Sequence, residues 1–287
     1  MEVEQIFEEF AANVTATFSH HQFAKEQADR ELKELKRQHE RIKDNSHLLE
    51  MPVSASFNFF NSALDGAITT FGRRSLTITE RAQSVLAHKN KIYQWTIAEA
   101  YEHFDKFCWK LYCAMGSHDP DFWPDADYTR SKKSVSDREN LTYSDRFTLL
   151  TNKKNRTKEI LNTFRTKRPE FAKLEKKNAL KEDLKLFITM CGKFRHQIVH
   201  AGGFLPADKE SFVNECLTEA GISGSARDKH RTFVERYIGT RGERSVLDFL
   251  DVPHPQAELR SFGAHFDICA DFLKALGSYA HLMISCR

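Results

Sequence analysis

Three side chains near the end of one predicted helix have the types and spacing that acid–base chemistry needs. The segment RHQIVHAGG starts with Arg195 and His196 and carries a second histidine, His200, four residues further on. Histidine exchanges protons near neutral pH, and arginine can hold a phosphate through two parallel hydrogen bonds. RNA cleavage without a metal requires a base for the ribose 2′-hydroxyl and a cation for the scissile phosphate. DNA lacks that hydroxyl and would not be cut this way.

The spacing of these residues limits how they can act together. Residues four apart share a helix face, so His196 and His200 are predicted to be neighbours. Arg195 and His200 lie about 140° apart around a regular helix and cannot form one compact site on it. Either the helix loosens before Gly202, or two copies of the chain contribute to a shared site.

Three other interpretations of the same residues stay open. The two histidines could be metal ligands, although a zinc site needs at least a third ligand. Gln197 stands where the His-Glu-x-x-His motif has its glutamate. The three cations could also simply end a helix, where the helix dipole favours positive charge. Finally, the motif could be accidental in a structural helical protein.

The helix that carries the motif is predicted over about residues 180–199. Its apolar residues recur at helical spacing, and Gly202 and Gly203 follow as helix-ending glycines. This spacing predicts one buried stripe, made of Leu184, Phe187, Ile188, Cys191, Phe194 and Ile198.

The rest of the chain also has helical periodicity, with prolines between the periodic stretches and no convincing strand pair. An all-α architecture is therefore predicted. A helix or a coiled-coil arm is expected before Pro52, and a second helix over Ser54–Phe71. Thr77 and Glu80 form a predicted capping box for a long helix that reaches Met115, with Gly116 as its C-cap. Later helices are predicted over residues 209–220, 226–238 and 255–286.

The segment between Ser117 and Tyr128 is predicted to be a loop because it is rich in proline and aspartate. Its Phe122 and Trp123 could pack against the body of the protein or contact a partner, and packing is favoured.

The composition is typical of a globular protein with no membrane span. Hydrophobic residues make up 40% of the 287 residues and charged residues 29%, with a net charge of +3. No run of eighteen apolar residues is present, and the acidic N-terminus argues against a targeting signal. The six cysteines form no Cys-x-x-Cys pair. We therefore expect free, mostly buried thiols, a cytoplasmic location and no cofactor.

Positive charge is concentrated ahead of the motif. Residues 129–177 contain fifteen Lys or Arg against six Asp or Glu, whereas residues 1–50 contain seven against eleven. A basic segment beside a candidate site attracts polyanions, although it could also be a solvated helix face. The residues predicted to guide RNA are Lys132, Lys133, Lys153, Lys154, Arg156 and Lys158.

The motif resembles the Arg-x4-His signature of HEPN domains, the higher eukaryotes and prokaryotes nucleotide-binding fold. The continuation Ile198-Val199-His200-Ala201-Gly202-Gly203 fits the apolar pair and following glycine of many members, and His196 stands where they often carry Asn, Asp or His. The resemblance covers about residues 91–287 and implies a bundle of four to five core helices. Residues 1–90 form an additional N-terminal helical region that the resemblance leaves unplaced.

The resemblance also implies roles for the motif residues. Arg195 would hold the phosphate, His200 would be the general base or acid, and His196 would position the phosphate or its partner histidine. Glu99 and Glu102 are candidates for an acidic residue near the motif. Members are typically homodimers with one composite cleft, and they commonly serve as toxins or anti-phage effectors. An inhibitor or antitoxin could therefore be a partner, and residues 1–90 could regulate activity.

The alternative within the same resemblance is a non-catalytic module. Some HEPN-like domains keep the fold and lose the activity, and such a bundle would bind RNA, a nucleotide or another protein. The intact pair of Arg195 and His200 favours the ribonuclease over this alternative.

Overall fold

The computed structural model describes residues 2–61, 64–129, 135–150, 156–253 and 265–286. Helices dominate these residues, which confirms the predicted all-α fold. The helices are α1 (Val3–Ile42), α2 (Ser46–Glu50), α3 (Ile78–His118), α4 (Asp125–Thr129), α5 (Tyr143–Leu149), α6 (Arg156–Lys167), α7 (Pro169–Leu174), α8 (Leu184–Ala201), α9 (Lys209–Ala220), α10 (Arg227–Glu235) and α11 (Ile268–Ser285).

The chain divides into two compact units. The larger contains Met1–His20 and Tyr93–Arg287, and the smaller contains His21–Ile92. The predicted division between residues 90 and 91 falls near the second boundary, but the first twenty residues belong to the larger unit. They do so because α1 starts with an apolar stripe of Val3, Ile6 and Phe10, whose side chains are buried in the larger unit's core.

The smaller unit contains a β-hairpin where a helix over Ser54–Phe71 was predicted. Strands β1 (Val53–Asn61) and β2 (Ile68–Leu76) pair antiparallel. The helix prediction was wrong because the sequence VSASFNFF alternates apolar and polar residues and is rich in aromatic residues, both of which favour a strand. Asp65 and Gly66 lie between the strands, and Gly66 has the positive φ of +72° that such a turn needs.

Helix α3 begins with the predicted capping box. The Thr77 backbone N–H donates to Glu80 Oε2 at 2.8 Å, and the Glu80 N–H donates to Thr77 Oγ1 at 3.3 Å. The helix does not end at Gly116 as predicted but continues to His118. Gly116 is instead a packing residue, since a Cβ there would lie 2.5 Å from Nε1 of Trp123.

The segment predicted as a loop is partly helical, since α3 reaches His118 and α4 begins at Asp125, but its aromatic residues pack inward as favoured from the sequence. Phe122 and Trp123 are both buried. The Trp123 ring stacks on Tyr112 with centroids 4.8 Å apart, and its Nε1 donates to the Tyr112 carbonyl at 2.8 Å. These contacts fix the loop to the end of α3.

Helix α8 lies in the core of the larger unit and has the predicted buried stripe. Asp183 caps its first turn by accepting a hydrogen bond from the Leu186 N–H at 2.9 Å. All six predicted stripe residues are buried. Phe194 contacts Phe272 of α11, with ring centroids 5.7 Å apart, and Phe212 of α9 at 6.2 Å. The buried stripe therefore orients the opposite, polar face of α8.

The C-terminal third differs from prediction at two places. Helix α10 ends at Glu235, and residues 238–247 form a hairpin of β3 (Ile238–Arg241) and β4 (Arg244–Leu247) with Gly242 at its turn. The last helix, α11, begins at Ile268, where Asp267 accepts a hydrogen bond from Ala270 N–H. Short strands β5 (Val252–Pro253) and β6 (His265–Phe266) precede it. The prediction that no strands pair was wrong, and residues 254–264 lie outside the described residues.

The cysteines and the membrane prediction can also be compared with the structure. All six thiols are free, and five of them are buried. Burial raises the pKa of Cys113 to about 12, so this thiol stays protonated near neutral pH. None of the described helices combines the length and apolarity that a membrane span needs.

Candidate functional site

The end of α8 is held by two glycines and the hairpin beyond them. Gly202 has φ +65° and caps the helix in the left-handed conformation. Gly203 follows with φ +88°, its N–H donates to the Gln197 carbonyl at 3.0 Å, and its own carbonyl accepts from the Leu247 N–H at 2.9 Å. A Cβ on Gly203 would lie 2.4 Å from Oε1 of Gln94, a buried side chain of α3. The last turn of α8 is therefore anchored to both α3 and β4.

The two histidines of the motif lie side by side in this last part of α8. The ring centroids of His196 and His200 are 4.7 Å apart at an interplanar angle of 52°. Both side chains are exposed to solvent. Two imidazoles at this distance can act on one substrate, one accepting a proton while the other donates.

Arg195 lies on a different side of α8 from His200 and contacts α3. Its Nε donates to Glu102 Oε1 at 2.5 Å, and its Nη2 lies 2.5 Å from the same oxygen. About a third of the Arg195 side chain stays exposed, at 32%. Of the two acidic candidates on α3, Glu102 therefore reaches the motif, whereas Glu99 lies 3.9 Å from His103 on its own helix.

A cleft of about 960 Å³ opens between α3, α6, α8 and α9 of the larger unit. Arg195 and His196 both line it, but His200 does not. The structure therefore brings Arg195 and His196 to one cleft, and His200 lies beside His196 without lining that cleft. The predicted difficulty of joining Arg195 with His200 on one regular helix is confirmed, because α8 stays helical through Ala201.

The wall that α8 contributes to the cleft is one polar face of the helix. Lys185, Thr189, Gly192 and His196 line the cleft and are spaced at i, i+4, i+7 and i+11, which places them on one line along an α-helix. Gly192 leaves space for α3, since a Cβ there would lie 2.9 Å from the Tyr101 hydroxyl.

The cleft contains many charged side chains, and most of its cations are paired with carboxylates. Lys193 lies 2.9 Å from Glu215 and 3.4 Å from Glu219. Lys158 of α6 also reaches Glu219, at 3.0 Å. Burial alone would raise the pKa of Glu219, but its hydrogen bonds and attraction to Lys158 and Lys193 lower it overall. A polyanionic ligand would therefore have to replace these carboxylates as the ion-pair partners of Lys158 and Lys193.

A second charged group lies where α3 and α6 meet. Asp105 lies 3.3 Å from Arg156 and also accepts a hydrogen bond from Thr157. Burial raises the pKa of Asp105, and Arg156 opposes the shift without cancelling it. The guanidinium of Arg156 also lies 3.8 Å from the ring centroid of Trp109, and this cation–π contact fixes its orientation.

The predicted RNA-binding residues are only partly described. Arg156 and Lys158 lie in α6 and line the cleft. Both are engaged in the ion pairs given above, so their charge is partly neutralised by carboxylates. The other four, Lys132, Lys133, Lys153 and Lys154, lie outside the described residues.

Sequence reasoning missed several residues that line the same cleft. They include Asp105 of α3, Thr157 and Arg165 of α6, and Lys185, Thr189 and Lys193 of α8. The spacing of Lys185 and Thr189 from His196 was a usable signal, because polar residues on the face opposite a buried stripe must be exposed or line a cavity. The contributions of α3 and α6 carried no such signal.

The metal interpretation depends on a third ligand beside His196 and His200. Within the part of the chain that the structure describes, no three His, Cys, Asp or Glu side chains come together to hold a metal ion. Chelation during an activity measurement tests the metal interpretation directly.

Comparison with known proteins identifies no relative. No protein-family model, no curated protein and no solved structure matches the chain.

Proposed function

We propose that this chain is a metal-independent endoribonuclease. In the proposed reaction the ribose 2′-hydroxyl attacks the adjacent phosphorus, the bond to the 5′-oxygen breaks, and the products carry a 2′,3′-cyclic phosphate and a 5′-hydroxyl. The observation that carries the proposal is one arrangement at the end of α8: Arg195 and His196 line a charged cleft, and the His200 ring lies 4.7 Å from that of His196.

Each motif residue has a role in this reaction. Arg195 would hold the scissile phosphate through its guanidinium, exchanging the Glu102 carboxylate for phosphate oxygens. His200 would act as general base for the 2′-hydroxyl or as general acid for the leaving 5′-oxygen. His196, whose ring lies beside that of His200, would position the phosphate or the His200 ring.

The active form that we propose is a homodimer with a composite site. Arg195 of one copy lines the cleft while His200 of the same copy does not. A two-fold pairing in which the ends of the two α8 helices face each other would bring His200 of one copy to Arg195 of the other. The exposed histidine pair is available for such a pairing.

The biological role that we propose follows the resemblance of the motif to HEPN ribonucleases. A nuclease of this kind would act as a toxin or as an effector in defence against phage, and a protein inhibitor would control it. The alternative, a non-catalytic module that binds RNA or a partner, is favoured by one observation: Arg195 is already paired with Glu102.

The test is incubation of purified protein with total RNA in EDTA, beside the variants Arg195→Ala and His200→Ala. We expect cleavage by the unchanged protein, cyclic-phosphate ends, and at least about 100-fold less cleavage by either variant. Matched controls are His118→Ala, an exposed histidine in the last turn of α3, and Arg231→Ala, an arginine that lies 3.3 Å from Glu210.

The controls should cleave RNA like the unchanged protein. Absence of cleavage by a folded dimer would favour the binding module, and cleavage that EDTA abolishes would favour a metal site at His196 and His200.

A further inference from the structure

Lys185 differs from the other lysines and arginines that line the cleft. Arg156, Lys158, Arg165, Lys193 and Arg195 each form an ion pair with a carboxylate. Among the residues that the structure describes, no carboxylate forms an ion pair with Lys185, which lies half-buried in the first turn of α8. A half-buried ammonium without a carboxylate partner is unusual, because burial penalises the charged form.

Other cations surround Lys185. Its Nζ and that of Lys176 would each lie 3.5 Å from a Cβ built on Gly221, so the two ammonium groups converge there. Burial lowers the pKa of Lys185, and the charges of Arg165 and Lys176 lower it further. The attraction of Glu175 and Asp183 opposes this effect and does not reverse it.

The nearby carboxylates are already engaged elsewhere. Glu175 accepts hydrogen bonds from Arg165 Nε at 2.9 Å and from the Tyr279 hydroxyl at 2.9 Å. Asp183 caps α8 through the Leu186 N–H. Neither carboxylate therefore neutralises Lys185 by direct contact.

The C-terminal end of α9 provides a negatively charged partner for Lys176 but not for Lys185. A helix C-terminus carries partial negative charge and attracts cations. Lys176 uses this charge, since its Nζ donates to the Gly221 carbonyl at 3.4 Å. Within the described residues, Lys185 forms no such bond. Lys185 is instead one of the residues that line the cleft, where an anion could reach it.

We infer that the cleft contains a phosphoryl-binding subsite at Lys185, with Arg165 and Lys176 as neighbouring cations. A phosphate has the negative charge and the acceptor oxygens that this group of donors lacks. The phosphate could belong to a nucleic-acid strand or to a small phosphorylated molecule, and the experiment below separates these two sources. This inference concerns binding and does not require that the protein cleave RNA.

If the ligand is a strand, it extends well beyond the motif. Lys185 and His196 lie on one face of α8 and are eleven residues apart, which is roughly 16 Å along the helix axis. A stacked strand advances by about 3.4 Å per nucleotide, so that distance covers roughly five nucleotides. This part of the inference rests on the proposed function, because it assumes that the strand also reaches Arg195 and His196.

The test measures binding of a short single-stranded 2′-O-methyl RNA, which cannot be cleaved by 2′-hydroxyl attack. Fluorescence anisotropy at about 50 to 200 mM salt gives the affinity and its salt dependence. We expect Lys185→Gln to bind about tenfold more weakly, and the slope of log affinity against log salt to become shallower by about 0.7.

Two further variants control the measurement. Lys185→Arg keeps the charge and should retain most of the affinity. Lys177→Gln removes the same charge from an exposed lysine that does not line the cleft and should bind like the unchanged protein. Circular dichroism of each variant checks that it is folded. An affinity and a salt slope for Lys185→Gln equal to those of the unchanged protein would overturn the subsite.

Inorganic pyrophosphate, measured by calorimetry and as a competitor, identifies the source of the phosphate. Binding of both RNA and pyrophosphate, each weakened by Lys185→Gln, supports a subsite that takes a strand phosphate. Lys185-dependent binding of pyrophosphate without binding of RNA supports the subsite but excludes a nucleic-acid strand as its ligand. If the unchanged protein binds neither, the inference is wrong. Failure of cleavage alone affects only the proposed function.

Discussion

Gly203 is predicted to be essential for the stability of the motif helix, and Gly203→Ala is the perturbation that shows it. Its φ of +88° disfavours any residue with a Cβ, at a cost of about 1–2 kcal/mol. The new Cβ would also lie 2.4 Å from Gln94 Oε1, so the Gln94 side chain must move. Gln94 is buried, and its Nε2 donates to the Leu247 carbonyl at 2.7 Å. Loss of that bond costs about 1–3 kcal/mol.

The two costs together predict that Gly203→Ala lowers the free energy of unfolding by about 2–5 kcal/mol. In a domain of this size, that corresponds to a fall in Tm of roughly 5–15 °C. Urea unfolding and thermal unfolding, both followed by circular dichroism, measure the change. The unfolding slope against urea should stay constant, because the same surface is exposed.

Gly242→Ala is the matched control for backbone strain. Gly242 has a φ of +62°, but nothing lies within 4 Å of a Cβ built there. Gly242→Ala should therefore lower the free energy of unfolding only by the backbone strain, about 1–2 kcal/mol. A second control is the double variant Gly203→Ala with Gln94→Ala. Its loss of stability should be smaller than the sum of the losses in the two single variants, because both changes affect the same contact. Equal destabilisation by Gly203→Ala and Gly242→Ala would refute the contact with Gln94.

Three further predictions concern the cleft. Glu102→Gln removes the carboxylate that competes for Arg195. It should change the free energy of unfolding by less than about 1 kcal/mol, because the Glu102–Arg195 pair is half exposed. It should tighten the binding of uncleavable RNA by roughly twofold to fivefold. Weaker binding would contradict the idea that Glu102 competes with the RNA for Arg195. Mixing inactive Arg195→Ala and His200→Ala subunits should restore roughly a quarter of the RNase activity if the site is composite, and no recovery would place the site within one copy. NMR titration of the Asp105 carboxyl should give a pKa above the usual range, because the group is buried. The contribution of Asp105 to stability is then fully present below its unfolded-state pKa and is lost as the pH rises through its folded-state pKa. A midpoint at or below the usual value would contradict the effect of burial.

The motif helix could be predicted from sequence because local signals agree there. The apolar residues of α8 repeat at helical spacing, and Gly202 with Gly203 marks its end. The structure confirms the buried stripe and places the helix end at Ala201. Where a periodic stretch, a cap and a terminating glycine coincide, the fold follows from neighbouring residues alone.

The hairpin of β1 and β2 was missed although it also carried local signals. Phe57, Phe60, Leu64, Ile68 and Phe71 fit a helical face, but the residues between them fit a strand better. Short apolar stretches with aromatic residues are ambiguous between the two periods, and the Asp65-Gly66 turn was the deciding signal.

The cleft itself could not be predicted, because it depends on contacts between residues far apart in the sequence. Arg195 meets Glu102 across 93 residues, and Arg156 meets Asp105 across 51. Gly116 shows the same limit in a packing contact, since only the position of the Trp123 ring explains why glycine is needed inside α3. Sequence periodicity orients a helix but does not choose its neighbours.

The most direct test of the proposed chemistry uses one short RNA in two forms, incubated with the protein in EDTA. One form is all RNA, and the other carries a single 2′-deoxy nucleotide at the bond that is cut in the first. The proposed mechanism predicts that the all-RNA form is cut to a 2′,3′-cyclic phosphate end, and that the deoxy form is not cut at that bond. Cleavage of both forms at the same bond, or loss of all cleavage in EDTA, would contradict the proposed roles of Arg195 and His200.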